Sequence, residues 1–252
     1  GLALLATVSD AALRPTAPAP DAAQADATVV PAIDLQGVDR RWGRQRVLRG
    51  VSLQVAPGRL VALHGHNGSG KTTLLRLIAT RLRPSSGTAR VFGHDLVRDS
   101  AGARRRLAYL SVQSGSYGAL TARENLALVA TVTGAGDDEV AHALHRVGLE
   151  PHAGRLVRVF SSGMKRRLGL AKLLLSRADL WLLDEPYASL DEDGRRLVDS
   201  LLDEAKHDGR TVLVVSHEPE RLVDRVDAAV EVDQGSVRAA PLRAGRTREV
   251  PT

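Results

Sequence analysis

Residues 65–72 read Gly-His-Asn-Gly-Ser-Gly-Lys-Thr, a match to G-x-x-x-x-G-K-[ST]. The match lies between a short apolar run at 60–63 and a stretch, 71–82, with Leu74, Leu75, Ile78 and Leu82 on one helical face. A glycine-rich loop between a buried strand and a helix is built to hold an anion. The glycines let backbone N–H groups turn inward, and the helix N-terminus adds partial positive charge. A glycine turn with a chance lysine would explain neither the spacing nor the flanking elements. Lys71 is placed to reach the β- and γ-phosphates of a nucleotide, and the Thr72 hydroxyl to ligate Mg²⁺. His66, Asn67, Ser69 and Thr73 complete the phosphate-binding stretch with Gly65, Gly68 and Gly70.

A second acidic feature supports this. Leu180-Trp-Leu-Leu-Asp-Glu185-Pro places two carboxylates at the end of an apolar run. Ligands of open α/β sheets gather at the C-terminal edge of the strands. Asp184 can hold a divalent cation there, and Glu185 can orient or deprotonate a water. Apolar runs at 180–183 and 211–215, joined by a helical segment at 194–207, predict parallel strands. Alternating residues at 32–38 and 50–55, a run at 88–92, and short segments at 229–232 and 236–238 predict further strands. Between the two halves the pattern is helical from 121 to 148 and again at 164–176. Thr121 and Glu124 there form a predicted capping box.

Composition narrows the class. The 252 residues contain no cysteine, which removes disulfides, thiolate metal sites and cysteine nucleophiles together. Lys plus Arg outnumber Asp plus Glu by 35 to 29, giving a net charge of +6. Only four of those 35 are Lys, and the arginines are scattered, so no nucleic-acid partner is expected. Residues 1–31 are expected to be a disordered leader, rich in Ala, Pro and Asp from residue 9, and 239–252 a flexible tail. No apolar stretch approaches the ~20 residues that a spanning helix needs.

One motif selects among phosphate-loop proteins. Phe160-Ser-Ser-Gly-Met-Lys-Arg-Arg-Leu168 resembles the L-S-G-G-Q signature of ABC-type ATPases, and it lies ahead of Asp184 as in that family. The resemblance covers residues 32–238. It implies an α/β fold, a P-loop NTPase (RecA-like) core with a mostly parallel sheet (32–108 and 166–238). An N-terminal antiparallel β subdomain and an α-helical subdomain inserted at about 109–165 complete that fold. It implies that Trp42 stacks on adenine, that Gln113 touches Mg²⁺ and the attacking water, and that Asp184 coordinates the metal. Glu185 would be the catalytic base, Lys71 a phosphate contact, and His217 the switch histidine at the γ-phosphate. Ser161, Ser162, Gly163, Met164 and Asp191 would meet the nucleotide and D-loop of a second subunit. Ser162 stands where Gly is usual, Met164 where Gln is, and His66 where Pro is common.

The family further implies ATP and Mg²⁺ as ligands, a head-to-tail homodimer, and separate transmembrane permease subunits. The expected location is peripheral, on the cytoplasmic face of the membrane. The short segment after Gln113 and the run 174–186 are similar to the haem exporter ATPase of cytochrome c maturation. A drug, lipid or polysaccharide exporter is the alternative, and a soluble ABC ATPase a distant one.

Overall fold

The computed structural model describes residues 29–111 and 115–240. The expected leader up to residue 28, Gln113 and the tail from 241 lie outside the described residues. The chain opens with antiparallel strands β1 (Ile33–Trp42) and β2 (Gln45–Val55), then β3 (Leu60–His64) and helix α1 (Lys71–Ile78). Strands β4 (Ser86–Val91) and β5 (His94–Asp95) follow, then α2 (Ser100–Arg106) and β6 (Leu107–Leu110). Helices α3 (Ala122–Thr133), α4 (Asp137–Arg146) and α5 (Ser162–Leu175) come next. The chain then runs through β7 (Leu180–Asp184), α6 (Glu192–His207), β8 (Thr211–Val215), β9 (Ala228–Asp233) and β10 (Ser236–Ala240).

Two sheets result, one antiparallel in the order β2-β1-β4-β5, the other in the order β10-β9-β3-β8-β7-β6. In the second every pairing is parallel except β9 with β10. Successive side chains of a strand point to opposite faces, and the core obeys this residue by residue. Val61 and Leu63, Leu180 and Leu182, and Leu213 and Val215 face the cluster shared with the antiparallel sheet and α1. Leu60 and Ala62, Trp181 and Leu183, and Val212 and Val214 face the cluster shared with α3 to α6. Burial on both faces is why these strands read as unbroken apolar runs.

The sequence expectations need several adjustments. Helix α1 ends at Ile78 rather than 82, because Thr80 turns into the left-handed region at φ 59° and Arg81 N–H bonds back to Arg76 O. Helix α2 and strand β6 carry no apolar period, so they escaped notice. Asp99 caps α2 by accepting the Gly102 N–H at 3.0 Å, and β6 is four residues paired parallel to β7. Residues 109 and 110, placed at the start of the helical insert, are therefore strand residues. Ala239 and Ala240, assigned to the tail, complete β10. The Thr121–Glu124 capping box forms as expected.

The turn between β9 and β10 pins the phosphate loop. Gly235 donates its N–H to Ser69 O at 2.9 Å, and its carbonyl accepts from Arg49 N at 2.8 Å. Its φ is +83°, and a Cβ there would stand 2.2 Å from Val47 O. Gly134 shares a positive φ of +72° but has open space around it. Gly134→Ala should therefore cost only the left-handed backbone penalty, about 1–2 kcal/mol. Gly235→Ala should cost distinctly more, because backbone must also move. Urea unfolding of the two variants checks the order.

Candidate active site

The site forms where β3, β7 and β8 end together. β3 delivers residues 65–70 as a loop with φ of 141° at Gly65, 81° at Gly68 and 114° at Gly70. A Cβ on Gly65 would lie 2.2 Å from Val232 O, so only glycine lets the loop pass there. No side chain caps α1, and its first turn has no acid. Its leading N–H groups stay available to an anion. Lys71 crosses the loop, donating to Gly65 O at 2.7 Å and His66 O at 2.9 Å. Ser69 Oγ is buried inside the loop without a hydrogen-bond partner.

β7 delivers Asp184, 1% exposed. It accepts from Thr72 Oγ1 and from the Tyr109 hydroxyl, each at 3.2 Å. Burial raises its pKa, and the two hydroxyls only partly offset this. Burial first, and the Asp184 charge second, push the Tyr109 phenol up to about 12. A buried carboxylate beside a threonine hydroxyl fits a small, hard divalent cation that takes its other oxygens from phosphate and water.

Glu185 follows with φ 55°, a conformation costly for a side-chain-bearing residue and held by Glu185 N–H to Val215 O at 2.9 Å. Its Oε2 accepts from His217 N at 3.0 Å. Its Oε1 is buried, hydrogen-bonds nothing, and sits 3.4 Å from His217 Nε2. Burial raises the Glu185 pKa, against the His217 N–H, which lowers it. A carboxylate so placed can accept a proton from water.

Asn67, Gly68, Gly70, Lys71, Thr72, Thr73, Asp184, Glu185 and His217 thus line one cleft of about 310 Å³. Gly65 and Ser69 shape the loop from beneath. His66 turns outward, with Nε2 3.5 Å from Asp233 and Nδ1 2.8 Å from Asn67 O. Trp42 stands apart at the end of β1, 51% exposed, with the Arg40 guanidinium 4.4 Å from its ring centroid.

The signature residues are elsewhere. Ser161 caps α5, accepting from Met164 N at 3.2 Å. Gly163 packs so close to Ser189 that a Cβ would lie 2.7 Å from its carbonyl. Asp191 caps α6 and accepts from Arg167 Nη2 at 2.6 Å. Ser162 and Ser189 line a second cleft that shares no residue with the first. Sequence reasoning missed Tyr109 and Arg166. Arg166 is 5% exposed and donates to Ser111 O at 3.0 Å. Burial lowers its pKa against the charges of Asp184 and Glu185. Its position inside the signature stretch was the available signal.

The family described as ABC transporter matches residues 48–188. The cytochrome c biogenesis ATP-binding export protein CcmA of Nitrosococcus oceani is 37% identical over 187 residues, 74% of this chain and 86% of that protein. The daunorubicin/doxorubicin resistance ATP-binding protein DrrA of Streptomyces peucetius is 35% identical over 219 residues, 82% of this chain and 64% of that protein. A solved ATP-binding subunit of an ABC transporter overlays with a TM-score of 0.76 at 27% identity, covering 82% of this chain and 88% of that one. The phosphate loop, the acidic strand end and these relatives agree, and the chain belongs to the ABC transporter family as an ATP-binding, ATP-hydrolysing subunit.

Proposed function

We propose that this subunit powers export through separate membrane subunits, and that the exported substrate is haem destined for cytochrome c maturation. The observation that carries the catalytic part is the Glu185 carboxylate. One of its oxygens is buried and unpartnered beside His217, in the cleft that Lys71 and Thr72 line. Loop N–H groups and Lys71 bind the β- and γ-phosphates of ATP. Thr72 and Asp184 would hold Mg²⁺, with Gln113, outside the described residues, as the further ligand that the family resemblance implies; the ion would neutralise charge on the phosphates. Glu185 takes a proton from the attacking water, and His217 lies against the γ-phosphate. Trp42 stacks on adenine once Arg40 gives way.

The separation of the two clefts supports a head-to-tail pair. Ser161, Ser162, Gly163, Met164 and Asp191 then face the nucleotide held by the other copy. The CcmA resemblance supports the haem assignment, and the DrrA resemblance keeps drug export as the second reading. No helix among the described residues is long and apolar enough to cross a membrane. Exposed Tyr117, Leu128 and Val132 share a groove with Arg104 and Arg105, and we assign it to contact with the membrane subunit.

Glu185→Gln should lose hydrolysis by roughly 10²–10⁴-fold, keep ATP binding, and elute as a dimer with ATP on sizing. Wild-type turnover in that variant would remove Glu185 from the mechanism. Val132→Glu should abolish transport in the assembled complex while leaving the isolated subunit's ATP hydrolysis unchanged. For the substrate, cells carrying Glu185→Gln in place of the native chain should lose haem-containing c-type cytochromes. Normal cytochromes with heightened drug sensitivity would favour the second reading.

A further inference from the structure

One guanidinium joins the three segments that surround Glu185. Arg221 ends the short turn Pro219–Arg221 that follows His217. Its Nε donates to Glu218 Oε2 at 3.2 Å, next to His217 in the chain. Its Nη1 donates to Asp199 Oδ2 at 2.9 Å. Its Nη2 donates to both oxygens of Glu192, at 2.9 and 2.7 Å. Glu192 is the first residue of α6, directly after Asp191. The other Asp199 oxygen accepts from the Tyr187 hydroxyl at 2.8 Å, and Tyr187 lies two residues beyond Glu185.

The contacts close a ring. From Glu185 it runs through Tyr187, Asp199, Arg221 and Glu218 to His217, whose N–H returns to Glu185. Glu192 enters the ring as a branch. The Arg221 side chain is 22% exposed, so solvent does not fully screen these bonds. The planar Arg fork spreads its donors over three nitrogens and so reaches three separated carboxylates. A lysine ammonium has three donors on one nitrogen and would not span them.

We propose that Arg221 is a positioning residue that fixes His217 and Glu185 relative to the start of α6. Displacement of the Asp191–Glu192 segment, which the proposed dimer places at the subunit contact, then changes the geometry of the hydrolytic pair. The inference rests on the reading of Glu185 and His217 as that pair. A neutral role, merely clamping residues 217–226, would affect stability and leave turnover per folded molecule alone.

The experiment compares Arg221→Gln, Glu192→Gln, their double variant, and Arg146→Gln. The last removes the Arg146–Glu204 pair, which ties α4 to α6 without touching Arg221, Glu218, Glu192 or Asp199. Steady-state ATP hydrolysis and thermal midpoints are read on each full chain. Arg221→Gln should lower kcat by roughly tenfold or more with KM for ATP held within about twofold. Glu192→Gln, whose side chain is 49% exposed, keeps the test open should Arg221→Gln fold poorly. It should lower kcat in the same sense, and the double variant should be no worse than the poorer single. Arg146→Gln should keep its kcat. Unchanged kcat, multiplying single effects, or equal loss in Arg146→Gln would each overturn the proposal. Inactive Glu185→Gln with intact Arg221→Gln overturns this inference alone. Active Glu185→Gln overturns the hydrolytic reading beneath it.

Discussion

Everything at the site depends on one buried carboxylate. Asp184 ends a strand whose every residue is buried, and burying a charge is costly unless something compensates it. Two hydroxyls offer partial compensation, one to each carboxylate oxygen. Thr72 stands in the first turn of α1, directly after the glycine loop, and Tyr109 on the neighbouring strand β6. The same carboxylate therefore fixes the distance between the loop that holds anions and the sheet edge that carries the base. Substituting Asp184 by an apolar residue would suit the core around it, yet it would leave both hydroxyls without their acceptor.

The neighbouring Glu185 shows how the backbone supports this chemistry. A left-handed φ at a non-glycine residue turns the chain sharply at the strand end. That turn directs one side chain back beneath the loop and the next toward β8. Two adjacent acids thus occupy different environments. One is buried against hydroxyls, and the other shares the cleft with a histidine. Their pKa values rise for the same reason, burial, but the local donors differ.

Much of this was legible in the residues themselves. The loop needs glycine where Val232 crowds Gly65, and it needs lysine and threonine where the helix begins, so chemistry dictated identity at fixed spacing. The two-sided strands were legible because burial on both faces leaves no polar position. What escaped notice was short or aperiodic. Helix α2 buries only Gly102 and Ala103, and no 3.6-residue pattern can emerge from that. Tyr109 and Arg166 take their importance from partners that the fold brings close, and spacing in a sequence carries no trace of those. The early stop of α1 is likewise a decision of Thr80, a residue without any helix-ending reputation.

The hydrogen bond from Gly235 to Ser69 ties a local motif to a distant segment. The phosphate loop directly follows β3, yet its shape leans on a hairpin far along the chain. β3 is itself held between two sheet neighbours, β8 and β9. The glycine motif is local in sequence, but the frame that shapes it is assembled from strands distant along the chain. A synthetic peptide of the loop and α1 alone would therefore lack the Gly235 N–H that fixes the Ser69 carbonyl, and the motif is complete only in the closed fold.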